Sequence, residues 1–371
     1  MPIEVGLLRS FGFEVYMPKI VPTDPNYRSA IVDYSLDTTL SLDRYLIDFL
    51  NRHHFYEERW STGLTDILNE NFQLLITSWS GYTMPLFEAI RKFKGPVVAR
   101  VFGREDPARY SDHFPAQMDA PVLIDRIGSS ACKFWFGQAF DNLAEIEHAN
   151  IQARALDLPV GLPREYFDLE DSWSGDDLSA LFLCPHILDS GYYSAVYKTI
   201  NDDFKNLPLK IFGRQFEKPD DLRVLPYLGD DELMQLYRRV RVMVYPSTEP
   251  RHLHYSPLEA MIVGCPVLYR NCGLLERLAG KTLPGSCANN AELNEKAIRL
   301  LSGDTALAQA IKKSQKLILQ KLSDQAVQSA WQAAMQKMGF AGIDKEAAAG
   351  TGSGSANQPP WPACVIEGQQ L

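Results

Sequence analysis

The sequence predicts an α/β protein with parallel sheets, divided into two domains. Three observations predict it. From residue 178 to residue 269, short apolar runs alternate with segments of helical period, the pattern of a parallel sheet covered on both faces. The stretch 168–177, DLEDSWSGDD, is rich in acids, Ser and Gly and reads as a linker. The 371 residues suffice for a domain of ordinary size on each side of it.

Composition narrows the function classes. Hydrophobic content of 46% with 22% charged residues is that of a soluble globular chain. A net charge of −9 argues against nucleic acid as the main partner. The six cysteines, at 132, 184, 265, 272, 287 and 364, contain no Cys-x-x-Cys pair. They suit buried thiols in a reducing compartment better than a disulfide framework or zinc. No signal peptide and no apolar run long enough to cross a bilayer is found, so a cytoplasmic location is expected.

The start, PIEVGLLRSFGFEVYMPK, admits two readings. One is strand, turn, strand. The other is the end of a first helix followed by a strand, which would place the first strand of the sheet and its Gly-rich loop upstream of Met1. Residues 36–70 are helix-rich, and Leu42, Tyr45, Leu46 and Phe49 are expected to face a core. His53-His54 reads as an exposed pair, because adjacent histidines on a helix point apart. Residues 72–79, FQLLITSW, form a buried strand; Ser80-Gly81 turns the chain, and Leu86, Phe87 and Ile90 face inward from the next helix. Residues 96–103, PVVARVFG, are another strand, ending in Arg104-Glu105-Asp106. Val122-Leu123-Ile124 reads as a further short strand, and Gly128-Ser129-Ser130 as an entry into a helix.

Beyond the linker, 178–184 is a strand, and Tyr193, Val196, Tyr197, Ile200 and Phe204 mark one face of a helix. Residues 209–213 and 222–225 read as strands, with Leu233, Leu236, Tyr237 and Val240 lining the helix that follows. Val242 and Val244 belong to an apolar run ending at Pro246. A polar loop follows with Ser247, Thr248, Glu249, Arg251, His252 and His254. Ser256-Pro257-Leu258-Glu259 reads as a capping box with Pro in the first turn, and Gly264 and Pro266 stop that helix before a strand at 267–269. A helix N-terminus at the carboxyl edge of a sheet suits phosphate, although an ordinary capped crossover helix has the same signature. Residues 293–301 and 305–338 are helical. Lys312, Lys313, Lys316 and Lys321 stud the second helix, either as a solvated face over a core or as a contact with an anionic membrane. Residues 341–371 have the composition of a disordered tail.

These residues also resemble a known family. Pro246-Ser247, Glu249-Pro250, Pro257-Leu258-Glu259-Ala260-Met261 and Gly264-Cys265-Pro266-Val267 look like the donor-site signature of retaining nucleotide-sugar glycosyltransferases of the GT-B architecture, the family 4 or glycosyl transferases group 1 set. Upstream, Leu209-Lys210-Ile211-Phe212-Gly213 resembles the family's Leu-x-Ile-x-Gly strand. Residues 224–237, VLPYLGDDELMQLY, resemble its Val-x-Phe-x-Gly segment and Glu-Leu-x-x-Leu-Tyr helix. Together they cover most of 178–280.

The resemblance implies two Rossmann-like domains facing across a cleft: an acceptor-side domain at 1–167, the linker 168–177, and a nucleotide-sugar domain at 178–340. It implies transfer of a sugar, with retention, from a nucleotide sugar to a saccharide, lipid-linked or other hydroxyl acceptor in glycan or polysaccharide biosynthesis. No cofactor or metal is implied, and a peripheral seat at the inner membrane face is compatible with it. Glu259 would accept from the donor ribose hydroxyls, and the backbone of Tyr255 and Ser256 would lie under the diphosphate. Glu249 is the carboxylate nearest the family's first Glu, beside the transferred sugar. The spacing departs, with nine residues between Glu249 and Glu259 where the family has seven.

A second departure follows Cys184. Gly191 matches, but Ser190 stands where the family has Lys, and the loop has no strong cation. Arg214, directly after Gly213, is the best candidate counter-charge for a diphosphate, then Arg251, His252 and His254. These departures also admit a catalytically silent binding or assembly subunit.

Overall fold

The first residues form a helix and then a strand. α1 (Pro2–Ser10) turns at Gly12, where φ is 87°, into β1 (Phe13–Tyr16). The structure, a computed structural model, describes residues 2–22, 32–79, 81–114, 118–162, 164–217, 219–340 and 361–366. Two compact units divide the chain, Met1–Gly161 with Val327–Leu371, and Leu162–Ala326.

In the first unit α2 (Arg44–Leu50) is capped by the Asp43 side chain, and α3 (Thr62–Asn71) by Ser61. Next come β2 (Leu74–Ser78), α4 (Met84–Lys92), β3 (Val97–Val101), α5 (Ala120–Gly128), β4 (Phe134–Gln138), α6 (Ala149–Gln152) and β5 (Ala155–Asp157). β2 and β3 are buried along their whole length, as strands covered on both faces must be.

The second unit holds β6 (Asp177–Leu183), α7 (Gly191–Asp203), β7 (Leu209–Phe212), α8 (Asp230–Arg239), β8 (Val240–Tyr245), α9 (Ser256–Ile262), β9 (Val267–Arg270), α10 (Leu274–Ala279), β10 (Ser286–Cys287), α11 (Asn290–Leu301) and α12 (Thr305–Gln320). Its five parallel strands run in the order β10-β9-β8-β6-β7. The chain steps outward from β6 to β7, then returns past β6 to β8 and continues the other way. The topological switch point therefore lies between β6 and β8, where open α/β sheets bind ligands outside the carboxyl ends of their strands.

α13 (Asp324–Lys337) then carries the chain back to the first unit. Its Trp331 is fully buried there and donates its indole N–H to Pro159 O at 2.9 Å. β11 (Trp361–Ile366) completes the first sheet, whose order is β1-β11-β2-β3-β4-β5, parallel at every step. Cys364 is opposite Tyr16 on one side and Leu75 on the other. Ala363 and Val365 join Val5, Leu8, Val15, Ile76 and Trp331 in the core.

Several expectations are corrected. The tail reading of 341–371 fails at 361–366, an apolar segment that is an interior strand; 341–360 and 367–371 lie outside the described residues. Residues 122–124 belong to α5, in which Pro121 sits in the first turn and Leu123 and Ile127, four apart, are the buried pair. Gly128 ends that helix, and β4 follows. Residues 222–225 make only the Ile211–Val224 bridge, and Leu222 is fully exposed. The expected helix 305–338 is two helices. In α2 the buried residues are Ile47 and Leu50, while Tyr45 and Phe49 are exposed. His53 and His54 are half-buried, with His53 Nδ1 3.2 Å from Glu58.

The stretch 168–177 is fastened to the second unit. Trp173 donates its N–H to Val263 O at 2.9 Å and its indole N–H to Val240 O at 2.8 Å. Lys316 is 2.7 Å from Asp171, and Lys312 is 5.2 Å from the Trp173 ring centroid. Two of the lysines on α12 thus engage their own unit. Of the cysteines, all but Cys272 are buried, and all are free.

Candidate functional site

The loops leaving β6 and β7 are locked together. Gly213 has φ 130°, and a Cβ there would stand 2.7 Å from Pro185 N, so only glycine permits this approach. His186 N donates to Arg214 O at 2.8 Å, and Gln215 bonds both Cys184 O (2.8 Å) and Ile187 N (2.9 Å). His186 itself sits at φ 50°, a left-handed conformation uncommon for a residue with a side chain, held by these bonds. Its ring lies 4.6 Å from Phe216, and the Arg214 guanidinium is 5.3 Å from the same ring. Among the described residues no carboxylate pairs with Arg214. A half-buried cation without a counter-charge at a carboxyl sheet edge is equipped to receive an anion.

The loop leaving β8 is organised by His254. Tyr245 OH is 3.0 Å from His254 Nδ1 and accepts the His254 backbone N–H at 3.3 Å. Tyr193 OH, on α7, is 2.8 Å from His254 Nε2. The Ser247 hydroxyl accepts the Glu249 N–H at 3.3 Å. Glu249 O accepts from Leu274 N at 3.0 Å, tying this loop to the start of α10. Both nitrogens of His254 are used within the protein, and among the described residues no group of three His, Cys, Asp or Glu is placed to hold a metal.

Burial, and then the neighbouring His252, push the His254 imidazole down to about 3 from its ordinary 6.5. The fold therefore holds it neutral while the unfolded chain takes up a proton below about 6.5. Stability linked to this group is complete above that pH and is lost as pH falls from about 6.5 towards 3. Urea midpoints at pH 7 and pH 5 are expected to differ by more in the wild type than in His254→Gln. An equal difference in both proteins would assign the acid sensitivity to other groups.

α9 departs from the expected capping box. Its N-cap is Tyr255, already helical at φ −72°, ψ −26°, with no side-chain cap bond. A capping residue needs extended backbone, which Ser256, inside the helix, lacks. Glu259 instead accepts a hydrogen bond from Tyr237 OH at 3.1 Å and stays half-exposed. Tyr237 is fully buried; burial, with the adjacent Glu259 charge, raises its pKa well above the ordinary value.

Gly213, Arg214, Glu249, His254, Tyr255, Ser256 and Glu259 thus all lie at or beyond the carboxyl ends of β7 and β8. The hydroxyls of Tyr193, Tyr237 and Tyr245, which hold three of the site's segments, were not singled out in the sequence. In a sequence, each tyrosine reads only as a core-facing aromatic.

Residues 203–317 match the family model described as glycosyl transferases group 1. No curated protein matches the sequence. Among solved structures the chain is similar to a glycosyltransferase from Rickettsia africae ESF-5, at 10% identity over 90% of this chain and 94% of that one, with a TM-score of 0.56. It is also similar to a trehalose-6-phosphate synthase studied with bisubstrate glycomimetics, at 9% identity over 74% and 76% of the two chains, with a TM-score of 0.51. At these identities the likeness establishes the fold: two Rossmann-like parallel sheets, the GT-B architecture.

Proposed function

We propose that this chain, a GT-B protein whose residues 203–317 form a glycosyl transferases group 1 domain, moves a sugar from a nucleotide sugar to a saccharide or other hydroxyl acceptor, with retention. The observation that carries the reading is that domain, whose loops reach the switch point of the second sheet. A nucleoside diphosphate leaving group needs dipoles and cations where its charge develops. Arg214, which pairs with no carboxylate among the described residues, is the proposed cation, and the backbone at Tyr255 and Ser256 the proposed seat of the diphosphate. Glu259, held by Tyr237, is the proposed acceptor for the ribose hydroxyls, and Glu249 the group beside the transferred sugar. By the resemblance, residues 1–167 take the acceptor. A lipid-linked acceptor, a role in polysaccharide biosynthesis and a cytoplasmic or membrane-peripheral location belong to the same reading. No helix among the described residues is long and apolar enough to cross a membrane.

One observation favours a catalytically silent subunit. The Ser190 side chain caps α7 by accepting from Tyr193 N, so this loop spends on a helix end the position where the resembling family has Lys. Incubation with a panel of nucleotide sugars separates the two. Donor hydrolysis or transfer supports the enzyme; nucleotide binding without turnover supports the silent subunit and overturns the enzymatic reading.

Glu259→Gln keeps an acceptor for Tyr237 but loses one carboxylate oxygen and the charge. Charge-assisted bonds contribute on the order of 1.5–3 kcal/mol, so nucleotide affinity is expected to fall about tenfold or more with the thermal midpoint within a few degrees. Arg214→Ala is expected to weaken a nucleoside diphosphate and leave the free nucleoside nearly unchanged. Calorimetric titration with both ligands decides, and unchanged affinity in Glu259→Gln would remove this residue from the site.

A further inference from the structure

We propose that the acceptor carries an anionic group, a carboxylate or a phosphate, and that Arg104, beyond the carboxyl end of β3 in the first unit, receives it. The inference rests on the proposed function, in which residues 1–167 take the acceptor.

The loop that carries Arg104 is tightly ordered. Tyr110 is buried, and its hydroxyl accepts the Phe102 and Gly103 N–H groups at 3.2 and 2.9 Å and donates to Gly103 O at 2.9 Å. Gly103 turns there with φ 127°, a region that favours glycine. Glu147, also buried, fixes the far side of the loop: its carboxylate accepts from Tyr110 N at 2.6 Å and from Ser111 N at 3.1 Å. The Arg104 guanidinium is 5.4 Å from the centre of the Tyr110 ring, within cation–π reach of the residue that orders the loop. It stands at the carboxyl edge of a parallel sheet, where α/β folds place their ligands.

Arg104 is half-buried, yet among the described residues its guanidinium has neither a carboxylate partner nor a hydrogen bond. The acids around it in the sequence are engaged elsewhere or do not reach it. Asp112 pairs with Arg109 at 3.0 Å, and Glu147 is taken up by the two backbone donors. Glu105 and Asp106, next in the chain, make no ion pair with Arg104. With two acids beside it, the loop does not supply a general attraction for anions. What it supplies is a directed contact, a planar fork of N–H donors held against a ring with its bonds unmade. Two oxygens of one carboxylate or phosphate match that fork, whereas a neutral hydroxyl oxygen does not span it.

The experiment uses the full chain and the donor that the nucleotide-sugar panel identifies. Transfer is measured to a set of mono- and disaccharides, each as the free sugar, its uronic acid and its phosphate monoester. Wild type, Arg104→Ala and Arg104→Lys are compared at a temperature where circular dichroism shows each folded. The anionic members are expected to be the acceptors, and uronic acids against monoesters tells carboxylate from phosphate. Losing a charge-assisted, bidentate bond is expected to raise the KM for the anionic acceptor about tenfold or more in Arg104→Ala, with donor KM within about twofold. Arg104→Lys keeps the charge without the fork and is expected to recover part of the loss. An active wild type that uses neutral sugars as well as their anionic forms, or that transfers to no anionic member, overturns this inference alone. So does a folded Arg104→Ala with an unchanged KM for the anionic acceptor. A wild type that turns over no nucleotide sugar overturns the functional reading and this inference with it.

Discussion

A chain lacking residues 361–366 is expected to lose the fold of the first unit and keep that of the second. β11 is not a peripheral addition: it makes the ladders to both β1 and β2, so its removal breaks two parallel pairings and leaves two facing strand edges. Ala363, Cys364, Val365 and Ile366 are all buried. Truncating one large buried aliphatic side chain costs about 2–5 kcal/mol, and a whole domain is stable by only about 5–15 kcal/mol. Removing the strand, with its backbone bonds, exceeds that margin. In the full-length chain the milder Val365→Asp is expected to act in the same direction, because it places an unpaired carboxylate in the core. Hydrogen exchange followed by proteolysis and mass spectrometry reads the outcome. Amides of β1–β4 should lose protection while those of β6, β8 and β9 keep theirs. Retained protection in β2 after the deletion would show that the sheet closes without its strand.

That strand was the least legible part of the sequence, and the reason is physical. Its partners, β1 and β2, are separated from it by hundreds of residues, and nothing in WPACVI says which edge it joins. The Gly- and Ser-rich residues before it have a composition that covers their apolar end when read as one segment. The helix-then-strand reading of the start looked for a missing strand before that helix, whereas the strand beside β1 is 361–366, from the far end of the chain. The second unit was easier, because its strands and helices alternate locally and each apolar run is bounded by Gly or Pro. Where it misled, a local signal lacked a local consequence. Ser256 and Glu259 have capping-box spacing, yet the helix begins at Tyr255, and a buried tyrosine from α8 claims the carboxylate. The positions of Gly213, Arg214 and Glu259 at the sheet's carboxyl edge were legible from motif order. The tyrosine hydroxyls that fix Glu259 and His254 were not, since α7 and α8 reach them only through the tertiary fold.

The second large effect is expected at Arg100. This side chain is fully buried in the middle of the first sheet, on β3, and its guanidinium holds three elements at once. Nε is 3.0 Å and Nη2 2.5 Å from Glu4 Oε1 on α1, while Nη1 donates to Gly137 O on β4 at 2.7 Å. The Phe102 and Trp331 rings lie 4.7 and 5.5 Å from it. Glu4 is buried too, and its Oε2 has no hydrogen-bond partner among the described residues, so the arginine is what makes the carboxylate tolerable there. Arg100→Leu is therefore expected to destabilise the first unit by about 3–5 kcal/mol, because it strands a buried charge. Glu4→Leu alone strands the guanidinium in the same way. The double variant is expected to be more stable than either single one, since two apolar side chains of similar bulk need no counter-charge. Urea unfolding of all three, followed by hydrogen-exchange protection of the β2–β4 amides, measures this order. If the double variant unfolds at lower urea than both singles, the pair is stabilising in its own right. Its role is then more than mutual neutralisation, and the attachment of α1 to β3 depends on the ion pair itself.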